Sequence, residues 1–417
     1  MAIANASNLQ SMNEPEIAVA PMKGTGEFGR TDRSHRLDQP FQRDGAERQR
    51  PGEDLVRSIL DPANLASLPA IPLVPETILK KHHCFVATDD RFKATARMLQ
   101  SLWRTDRGMA ACSYRDGNGR HRKLGSRINA ADGRAGGNFL NSRIARLVAR
   151  ELVYSEVGAV IERGRLFTNL LSSQPLCFNL FGSLKLDLSL ATAVFAELLP
   201  GFIDEVLDVR FESSPARGHA AFSGDGTAFD ILVLGRTSAG RRAFIAVEVK
   251  YTETARESLP RFTGRKRFDE IARTSNLFLD PSDPQLYANP VQQLFRQSCL
   301  AASMLQNEIF DTGFHLLVAP GGNQLALNAG AAFKDHLRDP DAGPLPFRTI
   351  TLERLIEAMA AVGAPELARA LHRRYCDFWL VHGQLELHEL SVFDSDDACA
   401  LNATADVAPA GKDPQFA

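Results

Sequence analysis

Apolar residues in the middle of this 417-residue chain follow two kinds of pattern. Between residues 138 and 156 they recur at helical spacing, with Leu140, Ile144, Leu147 and Val148 on one face. Further along, short continuous runs such as FDILVLG (229–235) and GFHLLVA (313–319) have the length and composition of buried strands. The pattern therefore predicts helices first and a buried sheet afterwards.

The order of the predicted elements indicates one layered α/β system. From about Leu188 to Ala319 the chain reads helix, three strands, helix and strand, with the strands at 204–212, 229–235 and 243–251 before the final one. A sheet covered by helices is the architecture that such an order favours. The Gly- and Arg-rich stretch 115–137 lacks either period, and we expect it to form an exposed loop.

Four segments follow from these patterns. Residues 1–52 and 391–417 are rich in charge, Gly and Pro and poor in apolar residues, which predicts a disordered arm and a disordered tail. Residues 53–187 form a mainly helical N-terminal part, and residues 188–390 form the core with its C-terminal helices.

Composition removes several classes of function. A net charge of −2 argues against a protein that coats nucleic acid by bulk charge, although it leaves room for a local basic cleft. The six cysteines have no C-x-x-C spacing, which argues against a zinc site or a disulfide framework and suggests the cytoplasm.

No apolar run approaches the roughly 20 residues of a spanning helix, so we expect no membrane association. Residues 24–29 spell G-x-G-x-x-G without a preceding strand, and no Walker A sequence occurs, so we expect no nucleotide cofactor.

Candidate chemistry lies on the second and third predicted strands. Asp230 opens one strand, and Glu248 and Lys250 lie on the same side of the next because side chains alternate along a strand. Two carboxylates, with the carbonyl of Val249 as a further oxygen, suit a hard divalent cation, and a lysine beside them could orient an attacking water. An E-x-K sequence also occurs on ordinary surface strands, where polar and apolar residues alternate. Here apolar residues on both faces indicate a buried strand, in which a charged side chain is unfavourable unless it has a partner or a function.

This arrangement resembles a known family. Asp230, Glu248 and Lys250, on a helix–strand–strand–strand–helix–strand order, resemble the catalytic core of the PD-(D/E)XK phosphodiesterase superfamily, which has the restriction-endonuclease-like fold. The phrases SSQPLCFNLFGSL (172–184) and NPVQQLFRQS (289–298) resemble a bacterial group of restriction-endonuclease-like proteins. The chain departs from the family motif at Phe229, which stands where the motif has its proline.

The resemblance implies a central mixed sheet flanked by helices and a nuclease that hydrolyses DNA with Mg²⁺, or with Mn²⁺ instead. It assigns metal binding and catalysis to Asp230 and Glu248, and the positioning or activation of water to Lys250. Gln293, on the helix after the E-x-K strand, would steady water or phosphate. Glu197 is our candidate for the upstream acidic residue of the family.

Other acidic and basic residues are further candidates. Glu151 on an earlier helix is a second choice for the upstream acid. Arg296, one turn after Gln293, and the pair Arg265 and Lys266 are candidates for contact with substrate phosphate.

Other functions stay open from sequence alone. The same fold could serve as an inactive module that binds nucleic acid or a protein partner, and a phosphodiester outside nucleic acids is a third alternative. Restriction or DNA processing would be the biological setting of the enzyme, and a homodimer would allow it to cut both strands.

Overall fold

The computed structural model describes residues 65, 67–115, 118–255 and 265–389. These residues lie within one compact unit, Leu60–Ala417. The predicted arm 1–52 and tail 391–417 lie outside the described residues.

A mixed five-stranded sheet forms the centre of the fold, as the sequence predicts. Its strands lie in the spatial order β3-β4-β5-β6-β7. The pairs β3–β4 and β4–β5 are antiparallel, and β5–β6 and β6–β7 are parallel. The strands are β3 (Glu205–Ser213), β4 (Phe229–Arg236), β5 (Arg242–Val249), β6 (Thr312–Ala319) and β7 (Phe347–Thr351). A separate hairpin pairs β1 (Ala111–Arg115) with β2 (His121–Ile128).

Helices cover both faces of the sheet. One core joins Ile231 and Val247 to helices on one face, and a second core joins Leu232 and Ala246 to Phe295 and its neighbours on the other. The helices before the large sheet are α1 (Glu76–Lys81), α2 (Arg91–Asp106), α3 (Ala130–Arg134), α4 (Ser142–Val153), α5 (Arg163–Thr168), α6 (Ser173–Leu186) and α7 (Leu188–Leu198). The later ones are α8 (Arg265–Thr274), α9 (Gln292–Gln306), α10 (Gln324–Lys334), α11 (Leu352–Ala361) and α12 (Pro365–Tyr375), and residues 379–389 are also helical.

In the described part of the chain, no single helix has the length and apolarity to cross a membrane. Among the described helices, α6 and α7 taken together would meet that criterion, and a bend of 115° separates them.

The central strand β5 is buried along seven of its eight residues because helices cover both of its faces. Its neighbour β6 approaches closely at Gly313, where a Cβ atom would lie 2.3 Å from the Phe244 ring. The absence of a side chain at Gly313 therefore lets the two strands pair while Phe244 fills the core.

The stretch 115–137 is not the loop that its Gly and Arg content predicts. Within it, β2 pairs with β1, and α3 follows. A hydrogen bond and burial hold the base of the hairpin. The Gly125 N–H donates to the carbonyl of His83 at 2.8 Å, and Ile128 is fully buried. Residues 121–123 of β2 are exposed, whereas Gly125, Ser126 and Ile128 are buried, so tertiary contacts override the local loop propensity.

Arg374 joins the N-terminal helical part to helix α12. Its side chain is fully buried, and it donates to the carbonyl of Asn138 at 2.8 Å and to Asn138 Oδ1 at 2.5 Å. The guanidinium carbon lies 4.0 Å from the centre of the Trp103 ring. The Gln100 amide donates to the carbonyl of Arg374 at 2.6 Å. Burial lowers the pKa of Arg374, so this contact network has to offset the desolvation of a cation.

Candidate active site

Asp230 and Glu248 face each other across neighbouring strands. Ile231 pairs with Val247 in the antiparallel β4–β5 ladder. Asp230, one residue before Ile231, therefore lies opposite Glu248, one residue after Val247. Opposite side chains on one face of such a pair have Cβ atoms roughly 5 Å apart. The sheet therefore brings together the two carboxylates that the sequence singles out.

A third carboxylate, which the sequence analysis did not find, extends this row. Phe211 pairs with Ile231 and Ser213 with Phe229, so Glu212 on β3 lies opposite Asp230. Glu212 has a φ of 47°, a left-handed conformation that is strained for a residue with a side chain. We call Glu212, Asp230 and Glu248 the carboxylate row.

Lys250 and Gln293 interlock with Glu248. The Lys250 Nζ lies 3.0 Å from Glu248 Oε1, and it donates to Gln293 Oε1 at 2.6 Å. The Gln293 amide in turn donates to Glu248 Oε1 at 2.7 Å. Glu248 and Lys250 are 2% and 6% exposed, so each of these buried charges has a partner. The structure thus places Lys250 and Gln293 at the site, where the sequence predicts them.

Gln297 is a second residue that sequence reasoning missed. Its amide donates to Glu248 Oε2 at 2.5 Å and to the carbonyl of Ala228 at 3.0 Å. Gln293 and Gln297 are four residues apart on α9 and therefore share one helix face. That spacing was visible in the sequence, although only the fold shows which face of α9 meets the sheet.

Burial and mutual repulsion shift the acid–base behaviour of the row. The pKa of Asp230 lies well above its usual range because the carboxyl is buried and lies beside Glu248 and Glu212. A hydrogen bond of 2.8 Å from the Val249 N–H to Asp230 Oδ2 acts in the opposite direction. Burial, followed by the charge of Glu248, raises the pKa of Glu212 to about 7. The row is therefore a place where added positive charge would be stabilising.

These residues line an open cleft of about 450 Å³. Three arginines also line it, and each is held by a carboxylate: Arg165 by Glu253 at 3.1 Å, Arg217 by Glu156 at 3.4 Å and Arg296 by Asp225 at 2.6 Å. The lining of the cleft thus combines the carboxylate row with three arginines.

Other residues singled out from the sequence lie elsewhere. Glu197 is half exposed and pairs with Arg354 at 2.7 Å, and it does not line the cleft. Glu151 lies near Arg150 and Lys185, also away from the cleft. Among the phosphate candidates, only Arg296 lines the cleft, whereas Arg265 and Lys266 are exposed on α8 outside it, with Arg265 over the Tyr287 ring.

The donor set fits a hydrated hard cation better than an enclosed one. In the ranges that the structure describes, no three His, Cys, Asp or Glu side chains are grouped closely enough to enclose a metal ion. Mg²⁺ commonly keeps several waters and binds through one or two carboxylates, which Asp230 and Glu248 supply. Two buried amide oxygens at the cleft, Gln292 Oε1 and Gln297 Oε1, have no hydrogen-bond partner among the described residues, so water or a ligand could satisfy them.

Comparison with known proteins agrees with this geometry. The family model described as the PD-(D/E)XK nuclease superfamily matches residues 87–377, more than two thirds of the chain. The matched range includes the whole five-stranded sheet, the carboxylate row, and Gln293 and Gln297 of α9. No curated protein and no solved structure matches the chain. The chain belongs to the PD-(D/E)XK nuclease superfamily.

Proposed function

We propose that this protein is a metal-dependent nuclease that hydrolyses DNA phosphodiester bonds by direct attack of water. The observation that carries the proposal is the meeting of Asp230, Glu248 and Lys250 with Gln293 in one polar cleft. Superfamily membership supports nuclease-like chemistry, and the choice of metal and of DNA rests on the donor set and the cleft charges.

Each side chain has a chemical task in this proposal. Asp230 and Glu248 bind the cation, with Mg²⁺ preferred and Mn²⁺ as the alternative. A bound divalent cation would lower the pKa of a water molecule and neutralise charge on the phosphate. Lys250 is held between Glu248 and Gln293, so its ammonium group can orient the attacking water and stabilise negative charge on the phosphate.

Gln293 and Gln297 keep Glu248 in place. Their amides donate to its two oxygens separately, Gln293 to Oε1 and Gln297 to Oε2. A carboxylate that is fixed on both oxygens loses little freedom when it binds a cation, which favours a defined geometry. Arg296 and Arg165 place positive charge along the walls, where the non-bridging oxygens of a phosphate could accept hydrogen bonds.

Cleavage of supercoiled and linear DNA with Mg²⁺, Mn²⁺ or EDTA tests the proposal. We expect cleavage with either metal, no cleavage in EDTA and a loss of at least 100-fold in Lys250→Ala, because removing a charge stabiliser in a buried site typically costs that much. Cleavage in EDTA, or full activity of Lys250→Ala, would rule out the mechanism.

One observation favours the alternative of an inactive binding module. Protein donors already occupy oxygens of both carboxylates, through Lys250, Gln293, Gln297 and the Val249 N–H. A module of this kind would bind DNA equally well in wild type and Asp230→Ala and would cut with no metal. Binding measured beside cleavage in the same preparations distinguishes the two functions.

A further inference from the structure

A second groove lies beside the cleft and carries three exposed arginines. It has a volume of about 640 Å³, and Arg134, Arg146 and Arg163 line it. We call it the arginine groove. Its other lining residues are mainly Ala, Gly, Ser, Thr and Phe, with no Asp or Glu among them. Small side chains such as Ala145 and Gly164 leave room for a ligand to approach the backbone.

The arginines of the groove differ from those of the cleft in their pairing. Within the described ranges, none of Arg134, Arg146 and Arg163 forms an ion pair, unlike the three arginines of the cleft. Like charges that share a concave surface repel one another and raise the local positive potential. A bound anion would relieve that repulsion. The positive charge of the groove is a local feature, because the whole chain has a net charge of only −2.

Helix α5 is a wall shared by the groove and the cleft. Arg163, Gly164, Phe167 and Thr168 line the groove, whereas Arg165 lines the cleft. Residues two apart on a helix project to nearly opposite sides, so Arg163 and Arg165 place the groove and the cleft next to each other across α5.

We propose that the arginine groove binds the phosphate backbone of the nucleic acid whose scissile phosphate lies in the cleft, on the other side of α5. This inference rests on the proposed nuclease function. Arginine side chains bind phosphate oxygens in a forked geometry, and the lining offers few groups that could read bases. The groove therefore contributes affinity and register without sequence preference.

Binding measurements with a matched pair of variants test this site. Arg146→Gln/Arg163→Gln removes two charges from the groove. Arg236→Gln/Arg241→Gln removes two exposed arginines from the β4–β5 turn, at the end of these strands opposite to Asp230 and Glu248. Fluorescence anisotropy with a labelled 24-base-pair duplex, in EDTA and over a range of salt concentrations, gives affinity and salt dependence without cleavage.

We expect the groove variant to bind roughly tenfold or more weakly and its log–log salt slope to fall by about 2, since each phosphate contact contributes about 0.9. The control variant should stay within twofold of wild type with the same slope. Circular dichroism melts confirm that both variants are folded.

Equal losses in the two variants, an unchanged slope in the groove variant, or no DNA binding by the wild type would overturn the inference. So would a groove variant that loses binding to poly-glutamate but keeps binding to DNA, which would identify an acidic protein partner instead. DNA binding through the groove without cleavage under any metal would contradict the proposed function alone.

Discussion

Replacing Asp230 by Asn should stabilise the metal-free protein while removing its response to Mg²⁺. The substitution removes the central charge of the carboxylate row and keeps the size of the side chain. The amide oxygen of Asn can still accept the hydrogen bond that the Val249 N–H donates at 2.8 Å. The main change is therefore electrostatic.

The size of the effect follows from the geometry of the row. Two unit charges about 5 Å apart, at an effective dielectric constant of about 20, repel by roughly 3 kcal/mol. Lys250 and partial protonation of the row reduce that value, because the pKa values of Asp230 and Glu212 are raised. We expect a net gain of about 1–2 kcal/mol in unfolding free energy, or roughly 2–5 °C in Tm.

The pH dependence has a defined sign. A carboxyl group whose pKa is raised by folding contributes stability below its ordinary pKa, and that contribution is lost as pH rises through the raised value. Burial raises the pKa of Asp230, so ionisation at high pH destabilises the metal-free wild type. The advantage of Asp230→Asn should therefore be larger at pH 8 than at pH 5.

Thermal unfolding in EDTA at pH 5 and pH 8, followed by a Mg²⁺ titration, is the assay. Mg²⁺ at ten times its dissociation constant should stabilise wild type by about 1.4 kcal/mol and the variant far less. Asp311→Asn is the control, because Arg242 holds the pKa of that exposed carboxyl at about 2 and its loss should not stabilise the protein. A less stable Asp230→Asn protein in EDTA at pH 8, or an equal response to Mg²⁺, would refute the reasoning.

Three further substitutions test the site and the fold. Gln297→Leu should lower cleavage about 10–100-fold and raise the Mg²⁺ concentration needed, because Glu248 loses a fixing hydrogen bond; unchanged metal dependence would contradict this. Glu197→Ala should leave cleavage within twofold, since that carboxylate pairs with Arg354 outside the cleft, and a large loss of activity would restore it as the upstream acid. Arg374→Met should lower the unfolding free energy by about 3 kcal/mol in chemical denaturation, because buried acceptors on Asn138 lose their donors; a loss below about 1 kcal/mol would mean that the site rearranges.

The central strands and the positions of their polar residues could be predicted because the information is local. The apolar run of β5 indicates burial, and alternation alone puts Glu248 and Lys250 on one side of it. Asp230 and Gln293 follow from the order of the elements. These positions depend on short stretches of sequence, so the pattern and the structure agree on them.

Glu212 and the hairpin could not be predicted because they depend on distant contacts. Glu212 joins the row through the register of β3 against β4, which the sequence of either strand does not specify. Glu197 lies on a helix whose orientation toward the sheet depends on packing, and there it meets Arg354. The hairpin is fixed where Gly125 packs against His83, a contact that overrides the Arg-rich composition around it.

The buried contact between Arg374 and Asn138 also constrains how the protein is made. A ribosome synthesises Asn138 and strands β3, β4 and β5 well before α12. The buried acceptors on Asn138 therefore lack their donor until Arg374 is added, more than 200 residues later. Before Arg374 is synthesised, the part of the interior around Asn138 is incomplete. A chain whose translation stops before residue 374 lacks the guanidinium group that donates to Asn138. Arg374 thus makes completion of the interior depend on synthesis of the chain through its last described helices.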